Sequence, residues 1–116
     1  MRVLVVEPGK VPRASEIGDS LEAMQAVVGG TIQAVYPFEE PVALVCHDEG
    51  KLLGLPLNRA LRLPDTGEAC DIIAGTFFLC AAPPDSDRFA GLSEGQLARY
   101  AQRFHAIECF PEVRLD

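Results

Sequence analysis

The chain has 116 residues, 48% hydrophobic and 23% charged, with ten basic against seventeen acidic residues and a net charge of −7. That length carries one core and leaves no room for two, so 1–116 reads as a single domain, its core over about 1–108 and a C-terminal tail over 109–116. The composition excludes a disordered chain, and an acidic balance without clustered Lys and Arg opposes nucleic-acid binding.

Val3 to Val6 is a β-branched apolar run ended by Glu7-Pro8-Gly9, which predicts a first strand. The run is far shorter than a secretion-signal core or the roughly 20 residues of a membrane span. A cytoplasmic protein without membrane contact is therefore expected, with free thiols at Cys46, Cys70, Cys80 and Cys109. No two cysteines stand at zinc-ligand spacing, so neither a metal nor another cofactor is expected.

Asp19 with Glu22 three residues on has the form of a capping box, and Leu21, Met24 and Val28 follow at helical spacing. Gly29-Gly30 ends that helix. Thr31 to Phe38 alternates as a second strand, and Val42 to His47 is a third whose continuous apolar run predicts cover on both faces. Asp48-Glu49-Gly50-Lys51 reads as a tight turn with Gly50 in the left-handed region, returning Lys51-Leu52-Leu53 onto the preceding strand as a hairpin.

Pro56 and Pro64 frame Leu57 to Leu63, which reads as no more than a helical turn. Asp71 to Cys80 is the most apolar segment and is expected to be one central strand with a bulge or close approach at Gly75. The prolines and aspartates of 81–88 make a loop. Ser93 with Gln96 forms a capping box, and Leu97, Tyr100, Ala101 and Phe104 stripe a final helix that Pro111 prevents from continuing. His105 would cap the C-terminal end of that helix.

These elements predict an α+β fold: a small, mainly antiparallel sheet of four or five strands with two helices packed on it. Such a sheet leaves edges that a second copy could cover, so a homo-oligomer is expected.

The segment from Val42 to Leu61 concentrates the residues suited to binding. Lys51, Asn58, Arg59 and Arg62 place cationic and amide donors within a dozen residues on a chain shaped by Gly54 and Pro56. Guanidinium forks fit phosphate or carboxylate, and an asparagine amide fits a base edge or a peptide group. With Asp71 and Gly75 on the facing strand, this loop would line a pocket for a small anionic ligand. The plainer reading is that Asn58 caps a turn and Arg59 pairs with an acidic neighbour such as Asp71.

His47, Asp48 and Glu49 are consecutive at a strand end, so they cannot converge on one atom and read as a solvated turn. Cys46 lies in an apolar run that disfavours its thiolate. No catalytic residue is assigned and no enzyme is expected. The alternative binding surface is an acidic face of Glu39, Glu40, Asp48 and Glu49 that would bind and inhibit a host defence or regulatory protein.

Met1-Arg-Val-Leu-Val-Val-Glu-Pro-Gly-Lys10, the helix end from Leu21-Glu22 to Gly30, and Val35-Tyr-Pro-Phe38 together resemble the domain-of-unknown-function family 3846. Cys46 through Lys51 to Leu55-Pro-Leu-Asn-Arg59, and Asp71-Ile-Ile-Ala-Gly-Thr-Phe77, carry the same resemblance. It covers roughly positions 1 to 82, and the last helix more loosely. It implies a small accessory protein of bacteria, phages and plasmids, with counter-defence among its roles, and it brings no catalytic residue. The basic cluster of Lys51 to Arg62 motivates the expectation of a non-enzymatic binder of an anionic, nucleotide-like ligand.

Overall fold

The computed structural model describes residues 1–63 and 65–110; Pro64, Pro111 and the rest of the expected tail lie outside the described residues. The described chain runs β1 (Arg2–Val6), β2 (Arg13–Glu16), α1 (Leu21–Val28), β3 (Ile32–Val35), β4 (Val42–His47), β5 (Leu57–Arg62), β6 (Ala69–Ala74), β7 (Phe77–Ala81) and α2 (Glu94–Arg103). A five-stranded sheet has the order β2-β1-β7-β4-β3, and β5 and β6 form a separate two-stranded ribbon. Every strand pairing is antiparallel. The fold is α+β, as the sequence predicts. No helix among the described residues is long and apolar enough to cross a membrane.

The register of the central strands explains their unbroken apolar runs. Leu4, Leu79 and Leu44 stand in one row across β1, β7 and β4, and Val5, Phe78 and Val45 stand in the next. Successive side chains on a strand face opposite ways, so the first row enters one core and the second row another. Leu97, Tyr100 and Phe104 of α2 and its C-terminal end cover the leucine row, joined by Leu61 and Ile73 from the ribbon. Met24 and Val28 of α1 cover the other face.

α1 begins one residue later than the capping pattern predicts. Ser20 is its N-cap, with Oγ accepting from the Ala23 N–H at 3.1 Å. Leu21 is consequently the first helical residue and is exposed, while Met24 and Val28, four apart, face the core. Gly29 ends the helix with φ 85°, the left-handed conformation that glycine adopts without strain. α2 has the predicted capping box: Ser93 Oγ accepts from the Gln96 N–H, and the Gln96 side chain accepts from the Ser93 N–H. Its last-turn cation is Arg103, whereas His105 lies beyond the cap residue Phe104.

Four expectations change between residues 48 and 80. Residues 48–54 form successive turns and no return strand, with Leu53 N–H bonded to Glu49 O and Gly54 N–H to Lys51 O. Gly54, not Gly50, is left-handed, at φ 68°. Gly50 serves a close approach instead, since a Cβ there would sit 2.7 Å from the Ala74 carbonyl oxygen. The segment after Pro56 is strand β5, because β6 supplies a pairing partner that local sequence does not reveal.

Asp71 to Cys80 is likewise two strands. Gly75, at φ 82°, turns the chain from the ribbon into β7, and a Cβ there would approach Leu55 Cδ1 to 2.8 Å. Only β7 is central. β2, a polar edge strand, had no apolar alternation to announce it; it is held by its pairing with β1.

Candidate functional site

β5 contains a bulge between Leu57 and Arg59, where the register partners are Ala74 and Ile73. Asn58 is the extra residue. A regular strand would send adjacent side chains to opposite faces, but both Asn58 and Arg59 are only 1% exposed. Asn58 Nδ2 donates to the Val6 and Gly75 carbonyls, each at 2.9 Å. Arg59 donates through Nε to Phe104 O at 3.0 Å, through Nη2 to Lys10 O at 2.7 Å, and through Nη1 to Asn58 O and Oδ1.

These bonds tie the ribbon to β1, the β1–β2 connection, the Gly75 corner and the end of α2. Neither side chain offers the free donors of a loop ligand. Arg59 also does not pair with Asp71. Burial pulls its guanidinium below the ordinary value while the Glu108 carboxylate pushes it up, and it stays cationic.

Asp71 is taken by Lys51 instead, Nζ to Oδ1 at 2.5 Å, with both side chains about half exposed. The Lys51 hydrogen bond and the Ile72 N–H hold the Asp71 carboxyl below its ordinary value. The pair lies in a cleft of about 130 Å³ between the end of β4, the 48–54 turn and β6. Of the six residues expected to line one pocket, only Lys51 and Asp71 meet in this cleft. Its charge is unsuited to an anion, because Asp48, Glu49 and Asp71 outnumber Lys51. Burial also pushes the Cys46 thiol up in this cleft. His47 Nδ1 accepts from the Glu49 N–H at 3.0 Å, as a turn-stabilising group does.

Arg62 belongs to a different cleft, of about 210 Å³, between β5 and the C-terminal end of α2. Arg59, Arg62 and Arg103 line it, with Glu108 as the one carboxylate on its wall among the described residues. Arg62 Nη2 reaches Glu108 Oε1 at 2.7 Å, and the Ala60 N–H donates to Glu108 Oε2 at 2.5 Å. Arg103 stacks over the Phe38 ring at 4.9 Å, and its Nη2 lies 3.5 Å from Arg62 O. Arg103 and Glu108 escaped the sequence reading. The first sits on the polar side of an amphipathic helix and the second beyond its end, so only folding brings them to β5.

The expected acidic face does not assemble. Glu39 and Glu40 precede β4 while Asp48 and Glu49 follow it, roughly 20 Å apart at the rise of about 3.3 Å per strand residue. Glu40 accepts a hydrogen bond from Arg99 Nη2 at 2.9 Å and pairs with its Nη1 at 2.8 Å; Tyr100 Oη donates at 2.8 Å and Gln96 at a longer 3.4 Å. The Arg99 bond, then the Tyr100 bond, pull its carboxyl down to about 2. Burial, reinforced by Glu40, pushes the Tyr100 hydroxyl up to about 12. Glu40 is thus matched within the fold.

No curated protein and no solved structure matches the chain. A family model described as domain of unknown function DUF3846 matches residues 1–105, the span from β1 through α2, and the chain belongs to that family.

Proposed function

We propose that the protein is a non-enzymatic binding module for a small anionic ligand, seated in the arginine cleft between β5 and the end of α2. One observation carries the reading: among the described residues three guanidinium groups and a single carboxylate line that cleft, in a protein whose net charge is −7. Concentrating cations against the overall charge focuses an attractive field on that cleft. Arg62 and Arg103 are exposed, so their donors can reach a phosphate or carboxylate, while buried Arg59 adds charge without offering a free fork. Arg103 lies over the half-buried Phe38 ring, which gives a nucleotide-like ligand an apolar neighbour beside the charge. In a bacterial, phage or plasmid setting, such a module would act by sequestering a nucleotide signal, a counter-defence role.

Calorimetric titration with inorganic phosphate and with adenosine monophosphate tests the assignment. Arg62→Ala and Arg103→Ala should each weaken binding about tenfold or more, in line with the loss of one charge-assisted hydrogen bond. Lys51→Ala should leave it unchanged. The reverse pattern would move the site to the β4–β6 cleft, and silence from both ligands would remove the reading.

A second reading, an interaction module for a host protein, is supported by the 48–54 turn. Leu52 and Leu53 are 88% and 58% exposed there, beside Asp48 and Glu49. Apolar anchors rimmed by charge are the usual build of a protein contact. Capture of a host protein that is lost with Leu52→Asp but kept with Arg62→Ala would favour this reading. Edge strands β2 and β3 are where a second copy would add in a homo-oligomer.

A further inference from the structure

The arginine cleft holds an oxyanion of the protein's own. Glu108 lies five residues beyond the end of α2, outside the span matched by the family model. One of its oxygens accepts from the Arg62 guanidinium and the other from the Ala60 backbone N–H. A guanidinium and a backbone amide converging on the two oxygens of one carboxylate is how proteins hold ligand carboxylates and phosphates.

Among the described residues little else fastens the segment that carries this group. His105, Ala106 and Cys109 are exposed and Ile107 is 48% exposed, so residues 105–109 bury little apolar surface. The anchor before them is Phe104, buried in the core with its carbonyl held by Arg59. With release of the half-buried Phe110, the segment can swing out of the cleft about Phe104 without disturbing the sheet. Its departure would free the Ala60 N–H and Arg62 together and remove the one negative charge that the described residues place on the cleft wall.

We infer that Glu108 is a built-in competitor: its carboxylate occupies the seat an external phosphate or carboxylate takes, and such a ligand binds by displacing it. This inference rests on the anion-binding reading above. It adds that the ligand is recognised through a two-oxygen contact with Arg62 and Ala60, and that the chain itself sets the threshold for binding.

The test is a titration of the full chain with inorganic phosphate, followed by NMR at the Ala60 amide, in the unchanged protein, Glu108→Ala and Glu22→Ala. Glu22 lies on α1, across the sheet from the cleft, and controls for the loss of one negative charge. Removing an internal competitor that occupies the cleft most of the time should tighten phosphate binding about tenfold in Glu108→Ala. Glu22→Ala should bind as the unchanged protein does, and Arg62→Ala added to Glu108→Ala should abolish the gain. Equal affinity with and without Glu108, or the same gain from Glu22→Ala, overturns the competitor while the anion site stands. If the Ala60 amide fails to respond to phosphate in any variant, both the competitor and the anion site fall.

Discussion

Arg59 Nη1 donates to Asn58 Oδ1 at 2.8 Å, so two neighbours in sequence form a buried polar pair that closes on itself. Between them they satisfy five backbone carbonyls besides that bond, those of Val6, Lys10, Asn58, Gly75 and Phe104. No buried side-chain nitrogen or oxygen among the described residues lacks a partner. A satisfied network of this kind holds the ribbon in one place on the sheet.

Breaking the pair should be expensive. Asn58→Ala strands the Val6 and Gly75 carbonyls and one guanidinium N–H in a dry interior, and is expected to lower stability by about 2–4 kcal/mol. Urea unfolding of Asn58→Ala, Arg59→Met and the double variant measures this. Because the residues share one network, the double variant should lose clearly less than the sum. Strict additivity would show that each acts alone.

Glu40 gives the protein a defined acid sensitivity. Its folded pKa, about 2, lies below the ordinary 4.5, so the unfolded chain binds the proton more readily. The stability it contributes is fully present above the ordinary value and is lost as pH falls through the folded one. Between about pH 4.5 and about pH 2, Glu40→Gln should flatten part of the fall in urea midpoint. Parallel curves for the two proteins would mean that the Arg99 and Tyr100 contacts are not kept in solution.

The thiols should divide by burial. Burial pushes Cys80 up to about 12 and also raises Cys46, whereas Cys70 and Cys109 are exposed. Thiolate is the reactive form, so an alkylating reagent near neutral pH should label Cys70 and Cys109 in the folded protein. Cys46 and Cys80 should label only after unfolding, as mass spectrometry of the digested protein would read. Rapid native labelling of Cys80 would contradict the central position of β7.

Gly75 and Gly54 form a matched comparison, at φ 82° and 68°. Alanine at Gly54 meets open space and should cost only the left-handed penalty, about 1–2 kcal/mol. Alanine at Gly75 adds a collision with Leu55 and should cost measurably more in thermal or urea unfolding. Equal losses would show that Leu55 moves aside freely.

Much of the fold was legible because its signals are local. The β-branched runs of β1 and β4 and the Ser93–Gln96 capping box depend on residues a few positions apart, and each lies where expected. The errors have a common physical source. Leu57 to Leu63 reads as a helical turn until β6 pairs with Leu57–Arg62, and Asp71 to Cys80 reads as one strand because apolar content is blind to which sheet each half joins. The Ser20 cap was missed by one residue because Asp19 offers the same side-chain chemistry.

The sequence by itself determined the class of the protein: an α+β domain of the family its motifs resemble, with central strands covered on both faces. Strand periodicity, turn residues and capping chemistry act over a few residues and can be read without coordinates. Only the tertiary structure decided what the cationic residues do. Lys51 went to Asp71, Asn58 and Arg59 turned inward at a bulge, and Arg62 met Arg103 and Glu108 from the far end of the chain. A charge's partner depends on long-range placement and on how much water the fold leaves around it, and neither quantity is written in the neighbouring residues.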